Sequence, residues 1–435
     1  MRVRMRLRKP LLAQVLLLVS FLGAMGFLGY LPIGTVEAGT VEAGIVCIVV
    51  LYAWLAFSIN VDSRWVIYVF LPAYGLIFFI LFYAFIYSIR VDAPLLPSVL
   101  AQRYYVFFLL APVTYILLRC GWTLIDFQRV FVLAMLFALM SRVIADLTLS
   151  PTFLSTARQF LVFKQDTAYE QSYWLRRVDA SCIFSILYFG RALFRSTNLA
   201  SFGLSLTVTL LATTLLIVNT PRSLIASTVI AIVLYSVFLS RRERAGLLVV
   251  LLPLYILITA LLAPQLGNTF AKGFGEGLSY EVRVESAHIA WEYFLKYPLF
   301  GLGQESNASI SYQQLFGEHF YPSDVGLLGV AFQWGLLGLL LYMSFSVWLV
   351  VNLLKLLWVY TGNAGKVYSG EGLFLWAVFM LCLIFTISSP LQARFIKPEG
   401  LAIAAFSLGL LWSHKRGVGG VYRNKVQRLP EGFPR

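Results

Sequence analysis

Arg222 stands in Asn219-Thr220-Pro221-Arg222-Ser223, between two long apolar runs. Charge at membrane depth is costly and marks functional positions. A second arginine, Arg283, lies in the largest polar segment. Arginine stays ionised when partly desolvated, and its planar fork matches phosphate oxygens two at a time. Fixed arginines would therefore stabilise the negative charge that develops on a departing lipid pyrophosphate. The driving force of such a reaction resides in the substrate, so no nucleotide is needed. The plainer reading of Arg222 is a long side chain that snorkels to the headgroups.

Other chemistries lack their residues. There is no Walker A pattern, and Gly273-x-Gly275-x-Gly277 does not follow a strand. His288, His319 and His414 are scattered and lack zinc spacing. No Gly-x-Ser-x-Gly elbow or Asp-x-Asp cluster is present. Cys47, Cys120, Cys182 and Cys382 lie in or beside apolar segments, with no metal or disulfide framework. No cofactor or metal is expected. Two groups could handle a proton. Asp324 is a carboxylate that stays ionised near arginines, and His319 is a nearby imidazole. Ser323 or Asp324 equally suits the cap of the apolar run that follows. His288 reads mainly as a polar-face residue.

The elements that must hold these residues are membrane helices. The chain is 60% hydrophobic and only 12% charged, against about a quarter charged for soluble domains. This composition predicts a single all-α, polytopic membrane domain over 1–435. About twelve apolar segments approach the ~20 residues that a spanning helix needs. They run over 11–31, 44–59, 65–88, 104–118, 129–148, 180–195, 199–218, 223–240, 246–263, 325–354, 372–390 and 400–413. The net charge of +14 is dispersed over short loops and tails, which fits topology and anionic headgroups rather than nucleic acid. The start Met1–Lys9 with its apolar follower reads as an uncleaved first helix. Positive-inside counting puts both termini in the cytoplasm, including the basic tail 414–435. The loop 32–43, with its near-repeat Gly-Thr-Val-Glu-Ala, falls outside. So do Arg90, Arg103, Arg158, Lys164, Arg176, Arg177, Arg222, Lys272, Arg283, Lys296, Arg394 and Lys397. Arg142 is expected to pair with Asp146, one helical turn away.

Two outer loops are long, at about 150–179 and 264–324. In the second, Val284, Ala287, Trp291, Phe294 and Leu295 recur at helical spacing. This predicts an amphipathic helix over the bundle mouth or along the membrane surface, ending at Pro298.

Three stretches resemble the superfamily of O-antigen ligases and O-antigen polymerases, bacterial integral membrane glycosyltransferases. Asn219-Thr220-Pro221-Arg222-Ser223 resembles the family's Thr-x-Ser-Arg turn, with Pro221 where Ser is usual. Arg283 followed by Pro298-Leu299-Phe300-Gly301-Leu302-Gly303 is similar to its Arg, amphipathic helix, Pro-Leu-x-Gly-x-Gly pattern. Gly335-Leu336-Leu337-Gly338 resembles its Gly-Leu-x-Gly ending. Together these cover roughly 200–345. The resemblance implies a GT-C-like fold of about twelve helices with a large periplasmic loop over a membrane-facing cavity. It implies an undecaprenyl-diphosphate-linked glycan as donor, with Arg222 and Arg283 on the diphosphate. One departure is visible: counting back from Gly335, the ligases' histidine position holds Asp324.

The expectation is a metal-independent glycosyltransferase of the bacterial inner membrane, its site facing the periplasm. Arg222 and Arg283 stabilise the diphosphate, and Asp324 or His319 orients or deprotonates the acceptor. Arg176, Arg177, Arg394, Lys397 and His288 are further candidate substrate contacts. The missing histidine register inclines the reading to a polymerase. A ligase acting on lipid A core is the near alternative, and a flippase or transporter of an anionic solute is the alternative of another class. Transporters place charges near the midplane in repeated segments. Here the charges sit at the edge and no such repeat is found.

Overall fold

A computed structural model describes residues 11–25, 27, 34–58, 66–148, 179–193, 196, 198–219, 222–236, 278–304, 312–317, 320, 322–361 and 370–415. At several helix ends the description covers the backbone only. Every regular element among these residues is helical: α1 Leu11–Ala24, α2 Gly34–Phe57, a π-turn Val66–Phe70 running into α3 Leu71–Val91, and α4 Leu95–Ala101. A 3-10 segment Arg103–Leu109 then enters α5 Leu110–Arg119, followed by α6 Leu124–Thr148, α7 Asp179–Leu193, α8 Leu199–Asn219 and α9 Arg222–Ser236. The last part holds α10 Leu278–Lys296, α11 Tyr312–Phe316, a 3-10 turn Pro322–Val325, α12 Leu327–Thr361, α13 Gly370–Ser388 and α14 Pro398–Lys415.

Among the described residues, six helices are long and apolar enough to cross a membrane, or up to seven if α4 and the Arg103–Arg119 helix, bent by 48°, form one span. α1 and Leu224–Tyr235 are apolar but shorter. The segment 246–263 lies outside the described residues. One expectation changes: the loop foreseen at 32–43 is helical from Gly34, so its duplicated Gly-Thr-Val-Glu-Ala becomes the first turns of α2. Gly44 explains how α2 docks. A side chain on Gly23 of α1 would meet the Gly44 Cα at 2.7 Å, so the two backbones touch.

α13 is the axis of the bundle: 72% of its window is buried, against 22% for Ile67–Val91. Around it Phe131 gathers rings from four other helices. Its centroid lies 5.0 Å from Phe21, 5.0 Å from Phe184, 5.6 Å from Phe374 and 5.5 Å from Phe406. Lipid tails are as apolar as these rings, so close packing rather than expulsion of water selects the arrangement. Arg142 of α6 is also buried and engaged. The Asp146 side chain foreseen as its partner lies outside the described residues.

Candidate functional site

The part of the candidate site that the structure describes best is where α12 is broken. Gly335 has φ 68° and ψ −167°, a conformation that interrupts the helix after Trp334. A break strands backbone groups that cannot be left bare in a membrane. Pro298–Gly303, the segment after α10, supplies their partners. The N–H groups of Leu302 and Gly303 donate to the carbonyls of Phe332 and Gln333 at 2.7 and 3.0 Å. The N–H groups of Leu336 and Leu337 donate to the carbonyls of Pro298 and Leu299 at 2.7 and 3.3 Å. The loop is stitched into the helix on both sides of the gap.

This stitching demands glycine. A Cβ on Gly335 would sit 2.3 Å from the Leu299 carbonyl, and one on Gly301 2.5 Å from the Phe332 oxygen. A Cβ on Gly303 would meet the Tyr87 backbone at 2.6 Å. All three also have positive φ. Gly301 and Gly335 thus serve the contact between the loop and α12, and Gly303 the close approach of the loop to α3.

Behind the seam lies an amide-centred cluster. The Gln304 side chain is buried, and its Oε1 accepts from Tyr105 Oη at 2.9 Å and Trp334 Nε1 at 3.2 Å. Its Nε2 donates to Tyr104 Oη at 2.8 Å, and Tyr83 Oη donates to the Trp334 carbonyl at 3.2 Å. Tyr312 of α11 donates to the Gly303 carbonyl. The cluster ties three parts of the chain, around residues 83, 105 and 334, to the stitched loop. Sequence reasoning passed over Gln304, because nothing local distinguishes it from any loop glutamine.

α10 carries Arg283 and runs into the stitched loop. The helix expected from the spacing is present, and it packs on the bundle through a face that the spacing did not mark. Ser286 and Ala290 are buried, and Ile289, Tyr293 and Tyr297 pack with Tyr87, Tyr312, Phe320 and Phe332. Val284, Trp291 and Leu295 are 50%, 49% and 59% exposed. They form a second apolar stripe, about opposite the packed one at 100° per residue. The helix therefore has one face for the bundle and one left over. Arg283 and His288 are exposed on the strips between. Among the described residues no ion pair involves Arg283.

Arg222 is the first residue of α9, directly after α8 ends at Asn219. Its side chain, that of Asp324 in the Pro322–Val325 turn, and the whole of His319, Arg176 and Arg177 lie outside the described residues. Arg394 is different in kind from an open phosphate contact. It is 2% exposed, with Nη1 at 2.9 Å from Asp179 and 3.5 Å from Glu399, and Nη2 donating to Gln392 at 2.5 Å. Buried charges persist when paired in this way. The cluster locks the start of α7 to the α13–α14 turn. Lys397 is half-buried and engaged. A depression lined by Trp122, Tyr360 and His414 among others belongs to the α5–α12–α14 side, away from these residues.

Residues 206–343 match a family model described as O-antigen ligase. The match supports the resemblance of this segment to the O-antigen ligase and polymerase superfamily. The matched O-antigen ligase segment, about a third of the chain, runs from within α8 to within α12. It contains Arg222, Arg283, the Pro298–Gly303 loop and the break at Gly335. No curated protein matches the chain.

Proposed function

We propose that the protein is a glycosyltransferase of about twelve spans in the bacterial inner membrane. It would move a glycan from undecaprenyl diphosphate to a sugar acceptor on the periplasmic face. The observation that carries this reading is Arg283. It is exposed and unpaired among the described residues, on a helix whose end is stitched into the broken α12, all within the O-antigen ligase segment. A cation held on a rigid support is preorganised for a charge that develops during reaction.

In this reading the acceptor hydroxyl oxygen attacks the anomeric carbon of the donor. The carbon–oxygen bond to the diphosphate breaks, and its electron pair stays on the diphosphate. Arg222 and Arg283 hold that charge. The hydroxyl proton passes to Asp324 or His319. Arg176, Arg177, His288 and Lys397 line the approach of donor and acceptor. Arg394 is committed to Asp179 and Glu399 and is not counted among the substrate contacts. No metal is required. A polymerase is favoured over a ligase because Asp324 occupies the ligases' histidine register.

Reconstitution with an undecaprenyl-diphosphate oligosaccharide tests the reading. Release of the carrier is expected, with Arg283→Ala lowering it a hundredfold or more, on the scale of one lost transition-state donor. Undiminished release in Arg222→Ala and Arg283→Ala would remove their proposed roles. Lipid transit without carrier release would favour a flippase. A second lipid-linked unit against lipid A core as acceptor separates polymerase from ligase.

A further inference from the structure

Two cations meet on one tyrosine where α10 ends. The Arg90 guanidinium carbon lies 4.3 Å from the Tyr297 ring centroid, and Lys296 Nζ lies 5.5 Å from the same point. The two charges are thus within a Debye length, about 10 Å at 0.1 M salt, and are weakly screened from each other. Cation–π attraction explains each contact singly but does not relieve their mutual repulsion. Glu292, one turn before Lys296, and Asp92, just past α3, are the nearest acids along the chain. Among the described residues neither forms an ion pair with Arg90 or Lys296. The C-termini of α3 and α10 each offer about half a unit of negative charge, short of balancing two full cations. Moreover, Arg90 Nη1 is buried and has no hydrogen-bond partner among the described residues. An unmatched buried donor on a charged group is expensive, and an anion would satisfy it.

The depth of the pair indicates which anion. Val284, Trp291 and Leu295 give α10 an exposed apolar stripe, suited to lying at a membrane surface. Lys296 and the last turn of α3 would then stand at headgroup level, where phosphate is the abundant anion. We propose that Arg90 and Lys296, presented on Tyr297, form a binding site for the phosphate of a membrane lipid. This is a second site. Arg283 stands thirteen residues earlier on α10, about 20 Å away at 1.5 Å per residue. A headgroup phosphodiester and the diphosphate of a lipid-linked glycan share the recognised chemistry.

Native mass spectrometry of the full-length protein in detergent, titrated with phosphatidylglycerol and with diacylglycerol as the phosphate-free control, tests this. Wild type should retain phosphatidylglycerol in preference to diacylglycerol. Arg90→Gln and Lys296→Gln should each weaken retention roughly tenfold, the scale of a charge-assisted hydrogen bond. Arg90→Lys should fall between, because it keeps the charge and loses the fork. Displacement by inorganic pyrophosphate would indicate a diphosphate ligand; resistance to it, a headgroup. Retention equal for both lipids, or unchanged in both Gln variants, overturns the site. If Arg90→Gln does not fold, the exposed Lys296→Gln decides alone. Retention is read without turnover, so it stands or falls separately from glycosyl transfer.

Discussion

The phenylalanine interior around α13 and the stitched region around Gly335 are held together by different physics. In the interior, Phe21, Phe131, Phe184, Phe374 and Phe406 interlock through dispersion contacts that any good fit can replace. In the stitched region, four backbone hydrogen bonds cross between a loop and a broken helix, and only glycine lets the chains approach. The first arrangement is forgiving because a cavity costs energy but leaves the neighbours in place. The second is all-or-none, since one added Cβ separates both strands of the seam. Fixed geometry belongs where a charge must be positioned, and α10 with Arg283 leads directly into the seam.

Substitutions can break or sharpen this contrast. Gly335→Val should have the largest effect. Forcing a β-branched residue to φ 68° against Leu299 should abolish glycan transfer and cost more than about 3 kcal/mol, counting the left-handed penalty and the lost bonds. Thermal melting in detergent, read beside transfer, checks it; a fully active Gly335→Val would dissolve the contrast. Phe131→Ala should cost on the order of 3 kcal/mol in the same melt yet leave transfer per folded molecule nearly unchanged. Loss of specific activity there would show that the interior positions the site too. Gln304→Leu should cost about 1–3 kcal/mol, because it strips partners from Tyr104, Tyr105 and Trp334. Its transfer rate should fall further than that of Phe131→Ala, since it lies against the seam. Gly75→Ala, with no atom within 4 Å of the new Cβ, should change stability by less than about 1 kcal/mol, in the favourable direction.

Much of the arrangement was legible beforehand, for identifiable reasons. Apolar runs forecast most of the described helices because lipid tolerates little else; the short α4 and α11 lay outside those runs. Pro298, Gly301, Gly303 and Gly335 were visible as a pattern, but the pattern does not say that these residues form a single seam. Helical spacing predicted α10 and its exposed apolar stripe, but not the opposite stripe that packs on the bundle, because that one is built largely from serine and tyrosines. The start of α2 read as a loop because a glycine-rich, acidic repeat is poor evidence for helix. Arg394 looked like a free outer cation, since Asp179 is remote in the chain and only the fold brings it to 2.9 Å.

The sequence by itself determined that the chain is a helical membrane protein, where most helices run, and that its arginines and glycines stand in an O-antigen ligase order. These are local properties, set by hydropathy, charge and backbone freedom. Only the tertiary structure decided which helix is central, which face of α10 is buried, which arginine is already paired and which glycines meet. Lipid and protein interior are equally apolar, so hydropathy cannot rank one helix above another. Contacts between residues far apart in the chain leave no local trace. The break at Gly335 joins the two levels. Its glycine is plain in the sequence, and its meaning, a gap in α12 filled by Pro298–Gly303, exists only once the chain has folded.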